Sequence, residues 1–355
     1  MGPEDFDYPL PESAVAQIPL TDRASARLLD ATGTSVIHRT VRDLPNLLRP
    51  GDVLVLNDTR VLHARLLSVR PTGGSAEVLL LRPVKDDALE GESLDWEALV
   101  RPSRKVEAGT RLVVSEGLVV EVQDDLGEGR RRVRPMTRDG IPMDRPELLD
   151  ALDHYGMVPL PPYLTQGIED PERYQTVYSE RSASAAAPTA GLHLTEAVLE
   201  ACQVKGVQIE RLELVVGLDT FRPVVADDFD DHRMHKEAYR VPAKVIEACM
   251  RARAAGGRVV AVGTTTVRAL ESAARFGPDG ETDLFIRPPF DFQMVNVLMT
   301  NYHLPRSTLL VMLEAFVGSR WRDLYATALD AGYRFLSFGD AMLVSRGEEQ
   351  ESSGL

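Results

Sequence analysis

Between residues 65 and 140 the chain runs through five short β-rich segments: SAEVLLLR, DWEALVRPS, TRLVVS, LVVEVQD and RRRVRPM. Apolar and polar residues alternate within them, as in strands with one buried and one wet face. Gly and acidic turns separate them at about ten-residue intervals, and few convincing helices intervene. This is the pattern of a small antiparallel sandwich or barrel. It reads as a domain of residues 65–140 inserted into a larger one made of residues 1–64 and 141–355.

The larger domain has a different rhythm. VLVLNDTRVLHARLLSV (53–69) is a strand, a polar interruption at Asn57–Arg60 and a second strand. Asn-Asp favours a turn at that interruption, although a site at a strand end would look the same. After residue 206 strand and helix alternate. VQIERLELVVGL, Glu237–Val241, RVVAVG (258–263), MVNVLMTNYH (294–303) and Ala341–Ser345 are strands. Helices follow at Pro242, at Val267–Arg275 after a Thr264-Thr265-Thr266 turn, at Ser307/Thr308 and at Trp321–Ala331. Repeated strand–loop–helix units predict an α/β domain with a largely parallel sheet.

At 355 residues the chain can bury the cores of two domains. No apolar run approaches the ~20 residues of a membrane helix. The start, MGPEDFDYPLPE, is acidic and Pro-rich, unlike a secretory signal. Cys202 and Cys249 are the only cysteines, and each falls on the periodic face of a predicted helix. They read as reduced core residues, and the profile is cytoplasmic. The net charge of −14 disfavours polyanions globally. Residues 101–138 carry nine basic and six acidic residues, a local balance of +3 that leaves −17 for the rest. That span is a basic face for phosphates or a solvated strand face of mixed charge.

Chemistry-bearing residues gather at loops. YQTVYSERSASAAAPTAGLHLT (174–195) is too polar and too small-residued for a core element. It holds Ser182, Ser184, Thr189, Gly191 and His193, and Thr195 caps the helix that follows. Small residues there admit a ligand, although a surface loop before a helix has the same composition. Gly263-Thr264-Thr265-Thr266, with Arg268 one turn on, offers hydroxyls and N–H groups to a carboxylate, ribose or phosphate, or else simple N-capping. It lacks the P-loop lysine, and no G-x-G-x-x-G is present. Asn301-Tyr302-His303-Leu304-Pro305 is a third strand-end loop, where α/β sheets bind ligands. His232-Arg233-Met234-His235-Lys236-Glu237, with two His three apart and a carboxylate, suits a polar substrate-facing segment better than zinc, which neither cysteines nor an H-E-x-x-H supports. Glu213 and Asp219 mark another polar strand end.

Together GDVLVLNDTRV, WEALVRPSRKV, YQTVYSERSASAAAPTAGLHLT, VVGLDTFRPV, HRMHKEAYRVP, GTTTVRALE, NYHLPRSTLLVMLEAFVG and GYRFLSFGDAMLV resemble the S-adenosylmethionine:tRNA ribosyltransferase-isomerases of queuosine biosynthesis. The resemblance runs over nearly the whole chain, in order. P-T-A-G-L-H and N-x-H-L-P-x-S-T-L are its most specific segments. Leu194 and Tyr302 stand where Phe is expected, and Arg287-Pro288-Pro289 where Tyr-Pro-Gly is.

The resemblance implies an enzyme that moves the ribosyl part of S-adenosylmethionine onto a 7-aminomethyl-7-deazaguanine at the tRNA wobble position. The ribose rearranges to give epoxyqueuosine, and adenine and methionine leave. S-adenosylmethionine is then a consumed substrate, and neither cofactor nor metal is expected. His193, His235, Glu237 and His303 are the expected acid–base groups, with Glu213 and Asp219 as orienting carboxylates. Ser182, Ser184, Thr189, Gly191, Thr264, Thr265, Thr266, Arg268 and Asn301 are expected to bind S-adenosylmethionine. Arg60, Arg101, Arg104 and Lys105 are expected to meet tRNA at its anticodon stem-loop. A monomer that avoids membranes is expected. Two other classes compete. A methyltransferase would show a Gly-rich loop after its first strand, and a non-catalytic RNA-binding protein would be more basic, with more aromatic stacking positions.

Overall fold

Aliphatic and β-branched runs bounded by Gly, Pro and Asp set the strands of this chain. The computed structural model describes residues 2–84, 94–127, 129–217, 229 and 234–347. In chain order come β1 (Arg27–Ala31), β2 (Ile37–Thr40), α1 (Leu44–Leu47), β3 (Val53–Asn57) and β4 (Thr59–Val61). Next are β5 (Arg65–Val69), β6 (Ser75–Pro83), β7 (Trp96–Arg101), β8 (Arg111–Val113), β9 (Val119–Gly127), β10 (Arg130–Met136) and α2 (Arg145–Tyr155). Then follow β11 (Arg181–Ser184), α3 (Glu196–Val204), β12 (Gln208–Leu214), β13 (Glu237–Arg240) and α4 (Ala243–Ala254). The last are β14 (Val259–Val262), α5 (Thr264–Phe276), β15 (Asp279–Thr282), β16 (Val297–Asn301), α6 (Thr308–Val317), α7 (Trp321–Asp330) and β17 (Ala341–Ser345).

Two compact units result. One comprises Met1–Arg60, Pro162–Arg181 and Ala187–Leu355, the other Val61–Pro161 and Ser182–Ala186. The first is built on a nine-stranded sheet of order β15-β13-β12-β3-β14-β16-β17-β1-β2. Its centre, β12-β3-β14-β16, is parallel. β17 joins antiparallel to β16 and parallel to β1, and the outer pairs are antiparallel. Every residue of β3, β14 and β16 is buried, as expected of strands covered on both faces. The carboxyl ends of the four parallel strands therefore share one edge of the sheet.

Three local readings change. The interruption at Asn57 is not a turn, because β4 begins two residues after β3 ends. The Asn57 amide is fully buried and continues the ladder to β12, donating to Leu214 O at 3.0 Å and accepting from Leu214 N at 3.2 Å. Helix α5 starts at Thr264 instead of Val267, because Gly263 at φ 89° supplies the N-cap geometry. Strand β16 starts at Val297 instead of Met294. The N–H groups of Gln293, Met294 and Val295 donate to the buried Glu271 carboxylate at 2.9, 3.0 and 3.1 Å, not to a neighbouring strand.

The second unit holds a closed six-stranded barrel of order β10-β7-β6-β5-β8-β9, antiparallel throughout. Alternating residues such as Val78, Leu80, Val120 and Val122 fill it. Helix α2 adds Leu148, Ala151 and Leu152 to the same core. A reciprocal capping box starts that helix, with Asp144 and Glu147 each bonding the other's backbone N–H.

Candidate functional site

At the carboxyl edge of the parallel strands lies a cavity of about 200 Å³. Three of the strands bring different walls. Val216 follows β12, Gly263, Thr264 and Thr265 follow β14, and Thr300–Pro305 end and follow β16. The segment Ala187–Ala190 closes another side, and Tyr163 and Ser337 meet over the cavity through a 2.7 Å hydroxyl pair. Of the expected site residues, Thr189, Thr264, Thr265, Asn301 and His303 line this space.

Asn301 is locked by contacts from two segments. Thr189 Oγ1 donates to its Oδ1 at 3.0 Å, and its Nδ2 donates to His193 Nε2 at 3.0 Å and to Leu336 O at 3.3 Å. His193 is buried in the 3₁₀ turn Thr189–His193, outside the cavity lining. Burial, with Arg334 and Arg23 nearby, pushes its pKa down to about 4. A neutral imidazole accepting at Nε2 carries its proton on Nδ1.

His303 sits on the cavity side. Its Nε2 meets Thr300 Oγ1 at 3.0 Å, and Nδ1 has no partner among the described residues. Burial pushes its pKa down to about 3. The ring is therefore neutral at physiological pH, whichever nitrogen holds the proton.

The remaining expected residues lie elsewhere. Arg268 is buried in an ion pair with Glu237, its Nε donates to Leu284 O at 3.3 Å, and Glu237 also accepts from Gly217 N at 3.3 Å. Glu213 at the end of β12 pairs with Arg181 at 2.6 Å, and His235 is exposed. Thr266 donates to Val262 O at 2.7 Å inside the first turn of α5. Ser182 and Ser184 belong to the barrel unit, where Ser184 donates to Ala186 O at 2.7 Å. Asp219, His232 and Arg233 lie outside the described residues. Gly191 is not at positive φ, and its requirement is space. A Cβ there would collide with the Tyr178 hydroxyl.

Two features of this unit escaped the sequence. Arg23 is an internal anchor, donating to Glu172 O, Gln175 O and Leu192 O at 2.8–3.0 Å and so fastening both ends of the Tyr174–Thr195 stretch. Asp58, one residue past β3, has its carboxyl pushed up to about 6, by burial first and then by Glu213 and Glu180. Its Oδ1 is buried with no partner. Perturbed carboxyls at strand ends often mark sites, and the only sequence signal was the polar break itself.

In the barrel unit the basic residues divide. Arg111, Arg130, Arg131, Arg132, Arg134 and Arg138 are each paired with an acid of the same unit. Arg101, Arg104 and Lys105 are exposed, with no ionic partner among the described residues. All three sit at the end of β7 and the turn Ser103–Lys105. Arg60, in the other unit, is paired with Glu172.

Hydroxyls, an amide and a neutral imidazole, set among apolar residues such as Val216, Leu309 and Leu336, line a cavity at the carboxyl edge of a parallel-centred sheet, the place where α/β enzymes bind ligands. The family described as queuosine biosynthesis protein matches residues 3–344, and this chain belongs to it. Similar proteins include the S-adenosylmethionine:tRNA ribosyltransferase-isomerases of an Azoarcus species, 46% identical over 97% of this chain and 98% of that protein, and of Thermus thermophilus, 48% identical over 97% and 99%. Among solved structures, the S-adenosylmethionine tRNA ribosyltransferase of Thermotoga maritima is similar at 35% identity and a TM-score of 0.53, covering 96% of this chain and 99% of that one.

Proposed function

We propose that this protein transfers the ribosyl moiety of S-adenosylmethionine to the aminomethyl group of a 7-aminomethyl-7-deazaguanine at the tRNA wobble position. The ribose is isomerised to the epoxycyclopentanediol of epoxyqueuosine, and adenine and methionine are released. The observation that carries this reading is the family match over residues 3–344. S-adenosylmethionine is consumed as a substrate, and no cofactor takes part.

The cavity at the strand ends is the seat of S-adenosylmethionine in this reading. Thr189, Thr264 and Thr265 give hydroxyls to the ribose, and Asn301 forms a fixed polar wall. The sulfonium acidifies the neighbouring C5′ hydrogens, so a positioned base removes one of them. His303, the one imidazole in the lining, is neutral and available for that proton. His235, Glu213, Asp219 and Glu237 supply the remaining acid–base and orienting groups, with His193 and Arg268 behind them. Ser182 and Ser184 of the barrel unit, and Gly191 and Thr266 of the other unit, remain proposed substrate-binding residues.

The RNA partner is the anticodon stem-loop. Arg101, Arg104 and Lys105, cations without an ionic partner among the described residues, give phosphates a limited basic face on an otherwise acidic chain. Arg60, in the other unit, is a separate proposed RNA contact, where it pairs with Glu172. The enzyme acts as a cytoplasmic monomer. No helix among the described residues is long and apolar enough to cross a membrane.

The test is a mass spectrum of the wobble nucleoside after incubation with S-adenosylmethionine and a tRNA carrying the aminomethyl-deazaguanine. The expected product is heavier by the rearranged ribosyl group, with adenine and methionine in solution. A gain of one methyl group with release of S-adenosylhomocysteine, or no change with a competent tRNA, would overturn the reading.

A further inference from the structure

The turn after β16 is fastened by a segment far away in the chain. The His303 carbonyl accepts from the Tyr8 hydroxyl, and the His303 N–H donates to the Tyr325 hydroxyl at 2.8 Å. Both backbone polar groups of His303 are thus held by tyrosines. The two rings meet edge to face with centroids 5.0 Å apart, inside a cluster with Trp321 and Phe335. Three residues on, Arg306 stands at φ 59°, a conformation that non-glycine residues adopt only when their surroundings enforce it. The enforcing contacts come from the same segment. Arg306 N donates to Phe6 O at 3.0 Å, and its guanidinium pairs with Asp7 at 2.6 Å and Glu4 at 3.2 Å.

Among the described residues the imidazole itself has a single hydrogen bond, to Thr300. Its direction therefore depends on the peptide that carries it. Packing alone does not call for a hydroxyl at position 8, since Phe6 and Phe335 fill the same cluster as phenylalanines. The hydroxyl of Tyr8 makes one hydrogen bond, and that bond goes to His303.

We propose that Tyr8, acting with Tyr325, is a positioning residue for His303: it holds the peptide plane that aims the imidazole into the cavity. The inference rests on the reading of His303 as an acid–base group. A displacement near 1 Å can cost up to ~100-fold in rate, so losing one of two tethers should cost on the order of tenfold.

The experiment compares Y8F, H303A and the double variant for kcat, for the KM of S-adenosylmethionine and for melting temperature. Y8F should lower kcat on the order of tenfold with KM unchanged within about twofold, the signature of an interaction used beyond ground-state binding. In the H303A background the same substitution should change turnover less than about twofold, because coupled residues are not additive. An equal loss in both backgrounds, or none in either, would overturn the positioning role while leaving His303 in place. Full turnover in H303A would overturn the reading of His303 and the inference with it. A crystal structure of Y8F supplies a readout independent of rate. The His303–Thr300 contact should open beyond its present 3.0 Å, and an unmoved ring would overturn the proposal.

Discussion

Asn301 donates its side-chain Nδ2 to Nε2 of His193 at 3.0 Å, and this one bond separates the two histidines of the site. His193 lies behind the amide and His303 lines the cavity. The imidazole of His193 fixes the amide, and the amide lines the cavity.

Asn301 and His193 should therefore behave as one unit in kinetics. Asn301→Ala and His193→Ala should each lower turnover on the order of 100-fold. The double variant should fall little further than either single one. Steady-state rates decide this, and a multiplicative double variant would mean that His193 and Asn301 act independently of each other.

The two buried imidazoles set an acid limit. Both pKa values are held below the ordinary 6.5, at about 4 for His193 and about 3 for His303. The unfolded chain takes up protons below 6.5 that the fold refuses. The stability is thus fully present above pH 6.5 and is lost as pH falls toward 4 and then 3. For His193 the loss is on the order of 3 kcal/mol. Urea midpoints between pH 7.5 and 4.5 should fall, and His193→Gln should flatten the fall. An unchanged slope in that variant would mean that His193 does not carry it.

Asp58 acts with the opposite sign. Its pKa of about 6 in the fold exceeds the ordinary 3.8, so the fold keeps a proton that the unfolded chain loses. Stability drops as pH rises from about 4 to about 6 and then stays level. Asp58→Asn should raise the melting temperature at pH 7.5 and leave it unchanged at pH 4. A gain of equal size at both pH values would point to packing instead of charge.

Arg268 and Glu237 are about 6% exposed and face each other across α5 and β13. Removing one partner strands a buried charge, which costs about 3–5 kcal/mol. Arg268→Ala should lose that much in denaturant melts, and pairing it with Glu237→Leu should recover most of it. A variant that loses S-adenosylmethionine affinity while keeping its stability would instead make Arg268 a direct ligand.

On the barrel, binding of tRNA should respond only to the unneutralised cations. Arg104→Ala or Lys105→Ala should each lower the slope of log affinity against log salt by about 0.7–1. Arg132→Ala, which removes a partner of Asp124, should leave the slope unchanged. Equal slopes in all three proteins would put the phosphates elsewhere.

The α/β character and the β-rich insertion were legible because both rest on short-range periodicity. Three strand-end loops were also legible, and Thr189, Thr264, Thr265, Asn301 and His303 meet there. Which histidine faces the cavity was not, because Asn301 decides it through a contact 108 residues away in sequence. Tyr163 and Ser337 were missed for the same reason, being 174 residues apart. Gly191 was read as freedom of the backbone, whereas the Tyr178 hydroxyl above it makes it a matter of volume. Residue type shows what a side chain can do, and its neighbours in space decide which of those things it does.

The clasp of Tyr8 on His303 spans 295 residues, which has a consequence for biosynthesis. At ~5–20 residues per second, a ribosome needs roughly 15–60 s to travel that length. For most of that interval Tyr8 is without its aromatic partners, since Trp321, Tyr325 and Phe335 are not yet made. The turn that carries His303 therefore gains its Tyr8 fastening only in the last stage of synthesis, when the C-terminal aromatic cluster closes around it.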